Sequence, residues 1–136
     1  MLGNVGIAPP EVAELRSIGL SAGLDVIGVT TAEPFEATLA EILRRREAGL
    51  HADMQFTFRN PERSTDPGRI LEGARSMIVG AMRVSAPRLP DAGPGWARIA
   101  AYARNDHYGD LRTALEAVAG RLRAASFTAR VVADDN

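Results

Sequence analysis

Met77-Ile78-Val79-Gly80-Ala81-Met82-Arg83-Val84 is the stretch on which the fold turns. It is an apolar run of strand length, too short for a buried helix and rich in residues that suit a pleated surface. Residues 86–95 follow with three prolines and two glycines, a composition that predicts a loop or mobile flap. Arg98-Ile99-Ala100-Ala101-Tyr102 then reads as a further strand, weakened by its alanines. Two strands joined by a loop with no helix between them pair antiparallel, because a parallel pair needs a long crossover.

Working outward, Val26-Ile27-Gly28-Val29-Thr30 is a β-branched run that predicts an earlier strand, and Thr128-Ala129-Arg130-Val131-Val132-Ala133 predicts a fourth. Three helices separate or flank them. Pro10 and Glu11 open the first, with Val12, Leu15, Ile18 and Leu20 as a rough apolar stripe ending at Gly23. Glu33-Pro34 opens the second, with Phe35, Leu39, Ile42 and Leu43 on one face and Gly49 as its stop. Leu111, Leu115, Val118 and Leu122 mark the third. Strands and helices do not strictly alternate. The expectation is therefore an α+β fold: a mixed, partly antiparallel β-sheet with flanking helices.

Length and composition agree with one globular domain over residues 11–136, preceded by a flexible leader at 1–10. The 136 residues are 46% hydrophobic and 24% charged, too apolar for a disordered chain. The formal net charge is −1, so no basic excess drives non-specific nucleic-acid binding. Any RNA contact would come from a local patch. Cysteine is absent, which excludes disulfides, thiol nucleophiles and cysteine-held zinc or iron–sulfur clusters within these residues. Met1–Pro10 has no basic region and no long apolar core, and no apolar run approaches a membrane span. The expected location is the cytoplasm.

Residues 50–73 are polar and contain Asn60-Pro61, Asp66-Pro67 and Gly68. They predict a long irregular loop, a feature that is often functional. Arg44-Arg45-Arg46 falls near the end of the second helix, where cations are favoured with or without a phosphate partner. His51 and His107 stand far apart, with no metal-ligand spacing between them. Asp134 and Asp135 follow the fourth strand. They either begin a turn or place an acid at the carboxyl end of a strand, where sites form. The sequence stops soon after that strand, which predicts a longer protein.

Four ordered blocks resemble the epoxyqueuosine reductases, from about Ile18 to Asn136. The first is Gly23-Leu24-Asp25-Val26-Ile27-Gly28-Val29-Thr30-Thr31-Ala32-Glu33-Pro34. The second is Gly49-Leu50-His51-Ala52-Asp53-Met54, continuing through Arg59-Asn60-Pro61-Glu62-Arg63-Ser64-Thr65-Asp66-Pro67. It looks like the family's Gly-x-His-x-x-Met loop and Arg-Asn-Pro-Glu-x-Arg segment, and it is the most specific of the four. The third is Gly73-Ala74-Arg75-Ser76-Met77-Ile78-Val79. The fourth is Ile99-Ala100-Ala101-Tyr102-Ala103-Arg104, then Tyr108, a helix, and Arg130-Val131-Val132-Ala133-Asp134. Two departures stand out. The family often has Asp-Tyr-His where this chain has His107-Tyr108-Gly109, and Thr or Ser where it has Asp135.

The resemblance implies an oxidoreductase that reduces epoxyqueuosine in tRNA to queuosine with cobalamin and two four-iron clusters. It implies that this chain is the N-terminal cobalamin-binding part, with the clusters in a later cysteine-rich region and the tRNA bound by the full-length protein. Asp134 matches the proton donor and a cofactor contact. Arg63 matches an arginine that touches cobalamin, Ala100 a small residue lying against it, and Tyr108 a pocket residue. The alternative is a stand-alone corrinoid-binding module without redox activity. A third possibility is an orphan piece that binds nothing.

Overall fold

The computed structural model describes residues 9–85, 87, 90 and 93–133. The leader expected at 1–10 lies almost wholly outside the described residues, as do parts of the 86–95 segment and Asp134 itself. The elements run α1 (Val12–Ser21), β1 (Val26–Thr31), α2 (Glu36–Glu47), α3 (Gln55–Phe58), α4 (Pro61–Ser64), α5 (Pro67–Ile70), β2 (Ser76–Ala81) and α6 (His107–Ala124). β1 pairs with β2. The Asp25 N–H donates to the Ala81 carbonyl at one end, and the Ala32 N–H to the Arg75 carbonyl at the other. One strand thus ascends as the other descends, so the pair is antiparallel. This is an α+β chain with helices flanking an antiparallel sheet.

The sheet is narrower than the sequence predicts. Among the described residues it has two strands, and the antiparallel partners are the first and second rather than the second and third. Arg98–Ala100 forms no regular element, and Ala101–Ala103 closes a 3-10 turn. The Ala103 N–H bonds the Ala100 carbonyl, and the Arg104 guanidinium takes the Ile99 carbonyl. Alanines put no branched side chain in the way of that turn. Residues 128–133 are likewise no strand. Arginines of α6 occupy their carbonyls: Arg123 donates twice to Ala129 at 3.1 and 2.9 Å, and Arg112 to Ala133 at 2.9 Å. Arginine side chains rather than a neighbouring strand hold this segment.

The chain divides into two compact units, one from the described residues of 9–28 and 80–133, the other from 29–79. In the first unit α1 packs on α6. Leu15 and Gly19 of α1, with Leu24 and Ile27, meet Ala114, Val118 and Ala119 of α6 in the core. Of the stripe expected on α6, Val118 is buried and Leu111, Leu115 and Leu122 are half-buried, with Ala114 and Ala119 completing the buried face. On α1, by contrast, Val12 and Leu20 face outward. Val118 is fully buried, worth about 1.5–3 kcal/mol over leaving it exposed. Leu24 fills the space left by two glycines. A Cβ on Gly19 would stand 3.0 Å from its Cδ1, and one on Gly80 only 2.8 Å away. Glu14 and Arg121 form an ion pair between the two helices. Asp106 starts α6 by accepting the Gly109 N–H at 2.9 Å, a capping bond worth about 1 kcal/mol.

In the second unit α2 packs against α3 and α4. Leu39, Ile42 and Leu43 lie half-buried on its inner face. Gly49, at φ +70°, ends α2 in the left-handed conformation that glycine adopts without a Cβ penalty. Residues 50–73 are more ordered than a polar loop would be. Three single-turn helices occupy them, two opening with Pro61 and Pro67 at the first helical position. Proline there has the helical φ already set and loses no needed N–H. Asp66 caps the second of these by accepting from the Gly68 N–H. Buried Thr65 anchors the corner: its hydroxyl donates to the Pro61 carbonyl at 2.8 Å, and its own carbonyl accepts the Phe35 N–H at 2.8 Å.

Candidate functional site

The second unit carries an open cleft of about 530 Å³ lined by Gln55, Phe56, Arg59, Asn60 and Arg63. Its walls come from the corner where α3 gives way to α4. The Arg59 N–H closes the last turn of α3 on the Gln55 carbonyl, and the Arg63 N–H reaches back to the Asn60 carbonyl at 3.2 Å. Between them Asn60 and Pro61 redirect the chain, since a residue before proline is held out of the helical region. The effect is to bring residues 55, 56, 59, 60 and 63 to one opening.

The chemistry of the lining is one-sided. It holds two guanidiniums, two primary amides and one phenyl ring, with no carboxylate among them. The other arginines of this helical region are engaged. Arg44 and Arg45 bind Glu41 at 2.8 and 2.7 Å, Arg46 donates to the Phe58 carbonyl, and Arg69 pairs with Asp66. The Arg44–Arg46 run is therefore committed to its own neighbourhood. Its hydrogen bonds from Arg44 first, then Arg45, hold the Glu41 carboxyl down at about 2. Among the described residues, Arg59 and Arg63 have no carboxylate partner. Arg63 is half-buried and Arg59 exposed. A partly desolvated cation without a counter-charge costs free energy that an incoming acceptor recovers.

The approach to this corner is strained. Ala52 and Asp53 have φ of 45° and 57°, a region that costs L-residues other than glycine about 1–2 kcal/mol each. Between Gly49 and Ala52 sits His51, whose ring centroid lies 5.7 Å from that of Phe58. Its Nδ1 is shielded from solvent and has no hydrogen-bond partner among the described residues.

The residues singled out from sequence fall in different places. Arg63 lies in the cleft of the second unit. Ala100 and Tyr108 belong to the first unit. Ala100 is an exposed residue leading into the 3-10 turn rather than a strand residue, and Tyr108, 48% exposed, sits in the first turn of α6. Asp134 lies outside the described residues. Gln55, Phe56 and Arg59 were not singled out. The signal was available: Arg59 and Arg63 are four residues apart within the most distinctive block.

No protein-family model, no curated protein and no solved structure matches this chain. Among the described residues, no helix is long and apolar enough to cross a membrane.

Proposed function

We propose that this chain is the N-terminal, corrinoid-binding part of an epoxyqueuosine reductase, a cytoplasmic enzyme acting on tRNA. The reading is carried by the order and spacing of the four sequence blocks, above all Gly49–Pro67. The cleft built from that same block supports it. Arg63 offers up to five N–H donors that no carboxylate among the described residues occupies. The cobalamin macrocycle is rimmed by neutral amide side chains, whose oxygens accept such donors. The cleft would take one edge of so large a ligand. Tyr108 and Ala100 belong to the other unit and enter the reading through the resemblance alone.

Bound cobalamin supplies the electrons for reductive opening of the epoxide. The protein's part is the proton. Opening the ring places negative charge on the departing oxygen, and a neutral carboxyl beside it quenches that charge as it forms. The resemblance assigns this role to Asp134. The chain has no cysteine, so the electron-supplying clusters belong to a region outside this sequence and the isolated chain turns over little or no substrate. A second reading, a stand-alone corrinoid-binding module without redox activity, draws on the same lack of cysteine.

The test is Asp134→Asn in a protein that carries this chain together with its iron–sulfur region. Cobalamin stays bound, and epoxide reduction falls by about 10²-fold or more, the usual worth of a general acid. Full activity in that variant rejects Asp134 as the acid.

A further inference from the structure

We infer that residues 29–79 are a separately opening unit: they unfold and refold together while the unit built on α1 and α6 stays folded. This goes beyond the corrinoid reading and stands without it. The first observation is where apolar side chains are buried. Among the described residues, every buried leucine, isoleucine, valine or alanine, from Leu15 and Leu24 to Val118 and Ala125, belongs to the first unit. Within 29–79 the buried residues are Pro61 and Thr65. Leu39, Ile42 and Leu43 of α2 are half-buried, and Leu50, Met54 and Val79 are exposed. A region that buries few apolar side chains opens at a lower free energy than the core it is attached to.

Local structure points the same way. α3, α4 and α5 have four residues each, and α2 starts at Phe35 without a side-chain cap, whereas Asp106 caps α6. Helices this short persist through packing rather than propensity. Ala52 and Asp53 add left-handed backbone strain. The ends of the segment, by contrast, are held from outside it. The Asp25 N–H donates to the Ala81 carbonyl at 2.9 Å, and the Arg83 N–H donates to the Asp25 carboxylate at 2.6 Å. Leu24 fills the space over Gly80. All of these residues belong to the first unit, so the two ends stay together when the segment between them opens, and its loop remains closed. The cleft at residues 55–63 exists only while the unit is closed. Closure and occupancy of that cleft are therefore one coupled equilibrium.

Native-state hydrogen exchange of the purified chain, read by mass spectrometry over a series of sub-denaturing urea concentrations, tests this. The expected result is measurable protection across α2 to α5 that is at least about tenfold weaker than in the core of α6. That protection is lost in one step, at urea concentrations where α6 keeps its own. Thr65→Val removes the hydroxyl that donates to the Pro61 carbonyl at 2.8 Å. It speeds exchange across α2 to α5 by at least about threefold and leaves α6 unchanged. Equal protection in the two units, or loss of both at one urea concentration, overturns the inference. A Thr65→Val variant in which α6 loses as much protection as α2 overturns it too. Absence of any protection in α2 while α6 is protected removes the closed state and overturns it as well. Cobalamin takes no part in the experiment, so its outcome is independent of the corrinoid reading.

Discussion

Replacing Gly80 by alanine tests how the first unit is packed. A Cβ at Gly80 stands 2.8 Å from Leu24 Cδ1, 3.2 Å from Leu24 Cδ2 and 2.9 Å from Leu115 Cδ2. Ordinary carbon–carbon contact begins at about 3.5 Å, so both leucines must withdraw by roughly 0.6 Å. Leu24 has little room to do so. It is 3% exposed, and its Cδ1 already lies where a Cβ on Gly19 would be 3.0 Å away. Overpacking of this kind costs about 1–3 kcal/mol. Alanine returns about 0.4–1 kcal/mol by restricting the unfolded chain. The net loss is about 1–2 kcal/mol, or a fall in Tm of roughly 3–8 °C for a chain of this size. Gly28 of β1 is the control: a Cβ there meets nothing within 4 Å, so Gly28→Ala is neutral or stabilising by up to about 1 kcal/mol. Thermal unfolding of both variants by circular dichroism measures the contrast. Equal Tm values for Gly80→Ala and the parent, or a larger loss at Gly28 than at Gly80, refute the packing described.

Two further outcomes concern the second unit. Ala52→Gly removes a left-handed alanine at φ 45° and raises stability by about 1 kcal/mol in urea titration; a loss shows that the Ala52 side chain makes a needed contact. Glu41 titrates at about 2 rather than 4.5, held down first by its hydrogen bond from Arg44 and then by that from Arg45. Because the folded value is the lower one, the contribution is complete above pH 4.5 and is lost as pH falls through about 2. The pair is exposed, so added salt moves the midpoint upward. An NMR titration of the Glu41 carboxyl with its midpoint near 4.5 at low salt contradicts the ion-pair geometry.

Much of the architecture was legible where one element buries one face. The 3.6-residue spacing of Leu111, Leu115, Val118 and Leu122 marked α6, and the β-branched runs at Val26–Thr30 and Met77–Val84 marked the two paired strands. Segments whose fate depends on distant partners were not legible. Residues 128–133 have strand composition, yet the Arg112 and Arg123 side chains take carbonyls that a strand would have used. Composition cannot register such a competitor, because it arises from packing on α6. The composition of residues 50–73 predicts an irregular loop, yet Pro61 and Pro67 start helical turns there. The sign of proline depends on whether the residue before it can serve as a cap. Of the candidate site, Arg63 was found through resemblance. Its neighbours Gln55, Phe56 and Arg59 became candidates only once the Asn60–Pro61 corner brought them to one opening.

Corrinoid binding by the purified chain is the measurement closest to the central proposal. Titration with cobalamin, followed by visible absorbance on protein whose helical circular dichroism shows it folded, yields a saturable spectral change that Arg63→Ala weakens. A folded chain that leaves the cobalamin spectrum unchanged at every concentration contradicts the proposal.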